Sequence, residues 1–254
     1  MGAALRILLI NPNTSAFVTE ACVAEARRHA ARGTTIVAVT ASRGVPIIGC
    51  RTENAIGAAM SVELAAEHAE GCDAVVLAVS FDSGLAAVRE LLPIPVGGMS
   101  EAAMLTACLL GSRFAYLTFG SRAAPLYEEL IAAYGLERRS AGVVALPMLS
   151  PDELRDPARV APLLLDAVDR AVAERGAESA VLGGAVFAGL AARLRRESPV
   201  PLVAGIAAAV RLAEMLVATG FVKPRAGSHR LPTRKPVAGL ADGIMRLYGR
   251  LPEA

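Results

Sequence analysis

Two stretches decide the fold: residues 74–87, AVVLAVSFDSGLAA, and residues 179–192, SAVLGGAVFAGLAA. Laid on each other they match at Val76 and Val181, at Leu77 and Leu182, and over Gly84-Leu85-Ala86-Ala87 and Gly189-Leu190-Ala191-Ala192. Each reads as an apolar, β-branched strand, a short loop and the start of a helix. Moving outward, Pro93-Ile94-Pro95-Val96 and Pro199-Val200-Pro201-Leu202 each set a proline before a short strand that runs into an alanine-rich helix. Upstream, Arg6 to Asn11 (RILLIN) aligns with Arg113 to Thr118 (RFAYLT) at nearly the same offset, about 105 residues. Three matching pairs in one order identify an internal duplication, since chance likeness between α/β segments does not preserve order.

Strands are predicted at about 5–10, 35–40, 74–79, 94–97, 114–118, 142–146, 179–183 and 201–204. Helices are predicted at about 15–31, 53–69, 84–91, 100–110, 122–134, 157–175, 188–197 and 205–219. Such alternation implies an α/β fold of two similar lobes, each a parallel sheet flanked by helices, related by a pseudo-two-fold duplication with a cleft between them. The first lobe is expected to take residues 1–98 plus 205–222, the second 99–204, and a C-terminal tail 223–254. Ligands of open parallel sheets bind beyond the carboxyl ends of the strands. The loops Asn11 to Ser15, Val45 to Glu53, Val79 to Ser83, Thr118 to Arg122, Pro147 to Ser150 and Gly183 to Phe187 are therefore expected to line the cleft.

Hydrophobic residues form 54% of the 254, with mean hydropathy +0.47, but much of that excess is alanine in helical stretches. No uncharged apolar run reaches the roughly 18 residues of a spanning helix, so no membrane segment is predicted. The opening, Met1 to Asn11, lacks the length and cleavage site of a signal peptide and reads as a first buried strand. Net charge is only +2, from 26 Lys and Arg against 24 Asp and Glu, which argues against a nucleic-acid partner. Cys22, Cys50, Cys72 and Cys108 form no C-x-x-C pair and no histidine stands at ligand spacing, so no metal site is predicted. Scattered thiols without an export signal fit a cytoplasmic protein. The basic run His229 to Lys235 (HRLPTRK) is either a solvated tail segment or a clamp for an anionic substrate.

Several segments in order resemble the hydantoin and allantoin racemases of the Asp/Glu/hydantoin racemase superfamily. They are Ile10-Asn11-Pro12-Asn13-Thr14-Ser15, Thr40 to Pro46, Asp73 to Ala78, Phe81 to Leu85, Ser100 to Met104, and Ala180 to Gly183 with Ala188 to Leu190, and the likeness extends to about residue 222. The resemblance implies cofactor-independent chemistry on a small carboxylate, hydantoin or related carbonyl compound. In that family two thiols, one at a strand end in each lobe, remove and return a proton on opposite faces of a carbon next to a carbonyl. Inversion needs both faces served. The resemblance puts the thiol positions at Val79 and Gly184, and the internal repeat pairs the same two residues; neither carries a proton. The chemistry expected is therefore of lyase, decarboxylase or isomerase type. The alternatives are a hydantoin or amino-acid racemase with atypical bases, and a non-catalytic small-molecule binding protein. A homo-oligomer is expected.

Candidate catalytic residues are Asp82, Ser80 and Cys50. A dry cleft would raise the pKa of Asp82 and make it a base; otherwise it caps a helix or holds a loop. A one-residue shift brings Ser80 to the first thiol position. Cys50 follows Pro46-Ile47-Ile48-Gly49 in a loop that approaches the cleft and is a replacement thiol or a plain loop residue, whereas Cys22, Cys72 and Cys108 read as helix cysteines. Candidate substrate-binding residues are Asn11, Asn13 and Thr14, which also suit helix capping, and Val79 and Ser83 of the first thiol loop. The repeat adds Thr118 opposite Asn11 and Ser121 opposite Thr14. Gly183, Gly184 and Ala185 offer backbone N–H groups for an oxyanion hole. Glu53 and Glu101 suit helix starts, His29 and His68 the surface, and His229 is the histidine that could fold back over the cleft.

Overall fold

A computed structural model describes residues 5–154 and 156–253; Met1 to Ala4 of the opening stretch and Ala254 of the tail lie outside the described residues. The first sheet holds β1 (Arg6–Asn11), β2 (Thr35–Thr40), β3 (Ala74–Leu77) and β4 (Val96–Gly98) in the order β2-β1-β3-β4, all parallel. The second holds β5 (Phe114–Phe119), β6 (Ser140–Leu146), β7 (Ser179–Leu182) and β8 (Leu202–Ala204) in the order β6-β5-β7-β8, again parallel. Between the strands run α1 (Ala16–His29), α2 (Arg51–His68), α3 (Leu85–Leu91), α4 (Met99–Leu110), α5 (Ala124–Ala133), α6 (Pro151–Leu154), α7 (Pro157–Arg175), α8 (Leu190–Leu194) and α9 (Gly205–Ala218). No helix among the described residues is long and apolar enough to cross a membrane.

The repeat holds at the level of single bonds. Ala78 N donates to Ile10 O, and its counterpart Gly183 N donates to Leu117 O, both at 2.8 Å. Gly84 and Gly189 precede α3 and α8 at φ 82° and 81°, a left-handed conformation that side chains resist.

Strand alternation sorts side chains into three apolar layers. Leu8, Ile10, Val75 and Leu77 of the first sheet share one core with Phe114, Tyr116, Val143 and Val181 of the second, with Met104 and Ala107 of α4 in the same cluster. Ile7, Leu9, Ala74 and Val76 point to the other face of the first sheet, under α1 and α9. Ala115, Leu117, Ala180 and Leu182 do the same in the second sheet, under α7. The lobes therefore share a core, and their strand ends are held at a fixed separation.

The loop from Val79 to Gly84 is locked from beneath by the start of α4. Gly98, at the N-cap position of α4, has no side chain to offer. Asp82 supplies the missing acceptor: its Oδ1 takes Ser100 N at 3.0 Å and its Oδ2 takes Glu101 N at 2.8 Å and the Tyr134 hydroxyl at 2.8 Å. To reach them Asp82 adopts φ 48°, which a short polar side chain tolerates. The Ser100 hydroxyl donates to Ser80 O at 2.6 Å, and the Tyr116 hydroxyl contacts both, at 2.6 Å from Ser100 Oγ and 3.3 Å from Ser80 O. Gly183, in the matching loop, lies against the same tyrosine; a Cβ there would stand 2.0 Å from Tyr116 Cε1. One buried ring thus touches both strand-end loops.

Two features differ from the sequence reading. The helix predicted over 188–197 shrinks to Leu190–Leu194 behind a 3-10 turn at Ala185–Phe187. The tail contains α10 (Asp242–Arg250), amphipathic around Ile244, which packs on α2 with Gly243 against the backbone of Glu67.

Two outcomes follow from the clamp. Burial pushes the Asp82 carboxyl from its ordinary 3.8 up to about 7, against the pull of its three donors. A folded value above the unfolded one means that this contribution to stability is complete below about pH 4 and is lost as pH rises through about 7. Melting curves should show a decline over that window that Asp82→Asn flattens. Gly183→Ala should cost about 1–3 kcal/mol in urea unfolding, because the methyl must displace Tyr116.

Candidate active site

A cleft of about 800 Å³ opens beyond the carboxyl ends of both sheets, and each of the six strand-end loops contributes to its lining. Val79, after β3, and Gly184, after β7, both line it. The walls are mostly apolar, with Phe17 and Val18 of α1, Ile47 and Ile48, Phe119, Met148, Leu154 and Leu190.

Within this apolar surface lies a short chain of hydroxyls. Ser80 Oγ and Tyr127 Oη are 2.6 Å apart, and the Thr118 side chain lines the cleft with them and acts on the Tyr127 phenol. Ser80 follows β3, Thr118 belongs to β5 and Tyr127 to α5, so the chain bridges the two halves. Burial pushes the Tyr127 phenol up to about 12, which keeps it protonated and a donor near neutral pH. Its ring is stacked between Phe81 at 4.4 Å and Tyr116 at 4.5 Å, so the hydroxyl has little freedom to swing.

Asn13 adds an oriented amide. Its Oδ1 accepts from Asn11 Nδ2 and from Ser15 N, both at 3.0 Å, which identifies that atom as oxygen and leaves Nδ2 as a donor at the cleft. Asn11 is the support for this arrangement: fully buried, it binds Asn13, Ser15 O and Thr19 Oγ1 and does not line the cleft. Cys50 and Glu53 enter the lining from the N-terminus of α2, where Glu53 Oε2 accepts Gly49 N at 2.7 Å. Arg122 and Arg193 complete the charged groups.

Of the residues singled out from sequence, Asn13, Cys50, Val79, Ser80, Thr118, Gly183 and Gly184 line the cleft. Others do not. Asp82 is corrected from candidate base to helix cap, with its carboxylate turned to α4. Thr14 joins the β2 loop through its N–H to Val45 O at 3.0 Å, Ser83 donates to Asn54 Oδ1 at 2.6 Å, and Ser121 is exposed. Ala185 opens the 3-10 turn. His229 sits in the exposed tail and is absent from the lining, as is the whole basic run. Cys22 and Cys72 are buried away from the cleft, burial pushing the Cys22 thiol up to about 12, and Cys108 lies on α4. Among the described residues Cys50 is the one cysteine on the cleft.

Sequence reading missed Tyr127, Phe17, Leu154 and Arg193, whereas Met148 falls in the expected loop Pro147 to Ser150. Tyr127 stands nine residues past Thr118 in an ordinary amphipathic helix, and nothing in the local pattern marks it; only the repeat, which sets β5 opposite β1, points to the helix after β5 as a cleft wall.

The Asp/Glu/Hydantoin racemase family profile matches residues 7–213. The chain is 36% identical over 241 residues to a hydantoin racemase of Rhizobium meliloti, covering 92% of this chain and 98% of that one. It is also 36% identical over 234 residues to a hydantoin racemase of Paenarthrobacter aurescens, covering 91% and 99%. The solved allantoin racemase from Klebsiella pneumoniae superposes with TM-score 0.88 at 35% identity, over 94% of this chain and 98% of that one. With two repeated parallel sheets, a cleft at their facing strand ends and a match across most of its length, this chain belongs to the Asp/Glu/hydantoin racemase family.

Proposed function

We propose that this member acts at the carbon next to a carbonyl in a hydantoin, ureide or carboxylate held between the two strand-end loops, without an opposed pair of thiols. One observation carries the reading: Val79 and Gly184 follow the strand ends of β3 and β7 at the cleft, and among the described residues Cys50 is the single thiol in its lining. Racemisation by two thiols needs an acid–base group on each face of the carbon. A cleft with one thiol, entering with Glu53 from the start of α2, favours proton exchange on one face. Delivery to one face is also what a decarboxylase or lyase requires after the bond to carbon breaks.

The charge that develops on the carbonyl oxygen has donors ready for it. The Ser80, Tyr127 and Thr118 hydroxyls and Asn13 Nδ2 meet the same apolar space, where a hydrogen bond to a developing oxyanion is stronger than in water. Gly184, at φ 156°, lets the backbone of the second loop approach a ligand without a side chain in the way. Cys50 is the acid–base group in this scheme. The relatives named hydantoin racemase favour a second reading, racemisation in which Cys50 and Glu53 replace the strand-end thiols.

The two readings part in deuterated water. Incubated with one enantiomer of 5-benzylhydantoin, the protein should place deuterium in the unreacted enantiomer faster than optical rotation decays, and Cys50→Ser should abolish the exchange. Deuterium confined to the inverted enantiomer would establish a two-base racemase; its complete absence from the stereocentre would remove proton transfer and leave a binding role. Tyr127→Phe should slow exchange about 100-fold, the usual loss for one oxyanion donor.

A further inference from the structure

We infer that the substrate carries a carboxylate together with a bulky apolar substituent, and that Arg122 and Arg193 bind the carboxylate. The inference rests on the cleft being the substrate site and goes on to name the class of molecule it selects. Among the charged residues of the lining, Glu53 is the one acid, and its carboxylate already accepts the Gly49 N–H at 2.7 Å. Arg122 and Arg193 are the two cations, and neither guanidinium makes an ion pair or hydrogen bond among the described residues. Neighbouring arginines outside the lining are paired, Arg28 with Glu25 and Arg51 with Glu129. The two free guanidiniums enter from different elements, Arg122 from the turn after β5 and Arg193 from α8. A guanidinium offers its donors as a planar fork that matches carboxylate geometry, and apolar walls beside it lower the local dielectric and strengthen the attraction.

The remainder of the cleft sets the other half of the molecule. Its 800 Å³ far exceeds the space of a five-membered ring. The surplus is bordered by the aromatic rings of Phe17 and Phe119, and by Ile47 and Met148, which stand 52% and 70% exposed at the mouth. Large side chains left in water around a concave apolar surface gain by covering a ligand. Phe119 is held flat by stacking on Phe187 at 5.0 Å, a ready face for an aromatic substituent.

Two probes of one skeleton test this: 5-benzylhydantoin, uncharged at pH 7, and N-carbamoylphenylalanine, its ring-opened carboxylate. Calorimetric titration at low ionic strength should give the acid about tenfold tighter binding, a gap that narrows as salt is added. In the Arg122→Ala/Arg193→Ala double variant the ratio of dissociation constants should fall to near one, while the Lys/Lys variant retains part of it. Both side chains are exposed and unpaired among the described residues, so the melting temperature without ligand should stay at the parent value and exclude misfolding. Equal binding of the two probes, or a ratio indifferent to both arginines, overturns the inference. Deuterium exchange on the neutral ring without preference for the acid overturns it and leaves the proposed chemistry standing. An arginine-dependent preference for the acid with no exchange at any stereocentre does the reverse.

Discussion

The Tyr116 ring holds the structure's working parts in register. It rises from the middle of β5 into the core shared by both sheets, its hydroxyl meets Ser100 and the Ser80 carbonyl, and Gly183 rests on its edge with no room for even a methyl group. The first strand-end loop is thereby tied to the second, through one rigid side chain that is itself fully buried. Asp82, in the same first loop as Ser80, completes the lock by capping α4. The separation between Val79 and Gly184 is a consequence of this packing, since dense interiors do not yield to small shifts.

That rigidity matters for chemistry that relies on positioned donors. Hydrogen-bond donors fixed before the reaction stabilise developing charge without reorganising, and a hydroxyl chain in an apolar cleft is such an arrangement. Tyr127 contributes because two flanking rings immobilise it and burial keeps its proton in place. Two cysteines away from the cleft are held back instead: burial holds the Cys22 thiol in its neutral form, and Cys108 is likewise pushed up by burial, only partly offset by Arg139.

The fold was legible in the sequence because duplication leaves two independent copies of the same period. Residues 74–87 and 179–192 predict a strand, a tight turn at Gly84 or Gly189 and a helix, and both turns take the same left-handed conformation. The cleft loops followed from strand direction alone. Individual roles were less legible. Asp82 stood in the most polar part of the first loop and read as a possible base, yet whether its carboxylate faces a ligand or the N–H groups of a helix 18 residues on depends on a backbone angle that the side chain's polarity does not reveal. Asn11 and Asn13 looked equivalent; Asn11 ends β1 and is fully buried, whereas Asn13 sits in the turn that follows and reaches the cleft lining. Tyr127 and Arg193 come from helices whose contribution to the cleft arises only when the two halves are packed together.

In the proposed reaction a carbonyl compound sits between the two strand ends with its oxygen on donors drawn from the Ser80, Tyr127 and Thr118 hydroxyls and the Asn13 amide. A crystal structure with a bound hydantoin or its ring-opened acid tests this directly. Density between Val79 and Gly184, with a ligand oxygen within about 3.2 Å of at least two of those donors, is the predicted result. A ligand seated outside the cleft, or a second cysteine drawn in to oppose Cys50 across the reacting carbon, would contradict it.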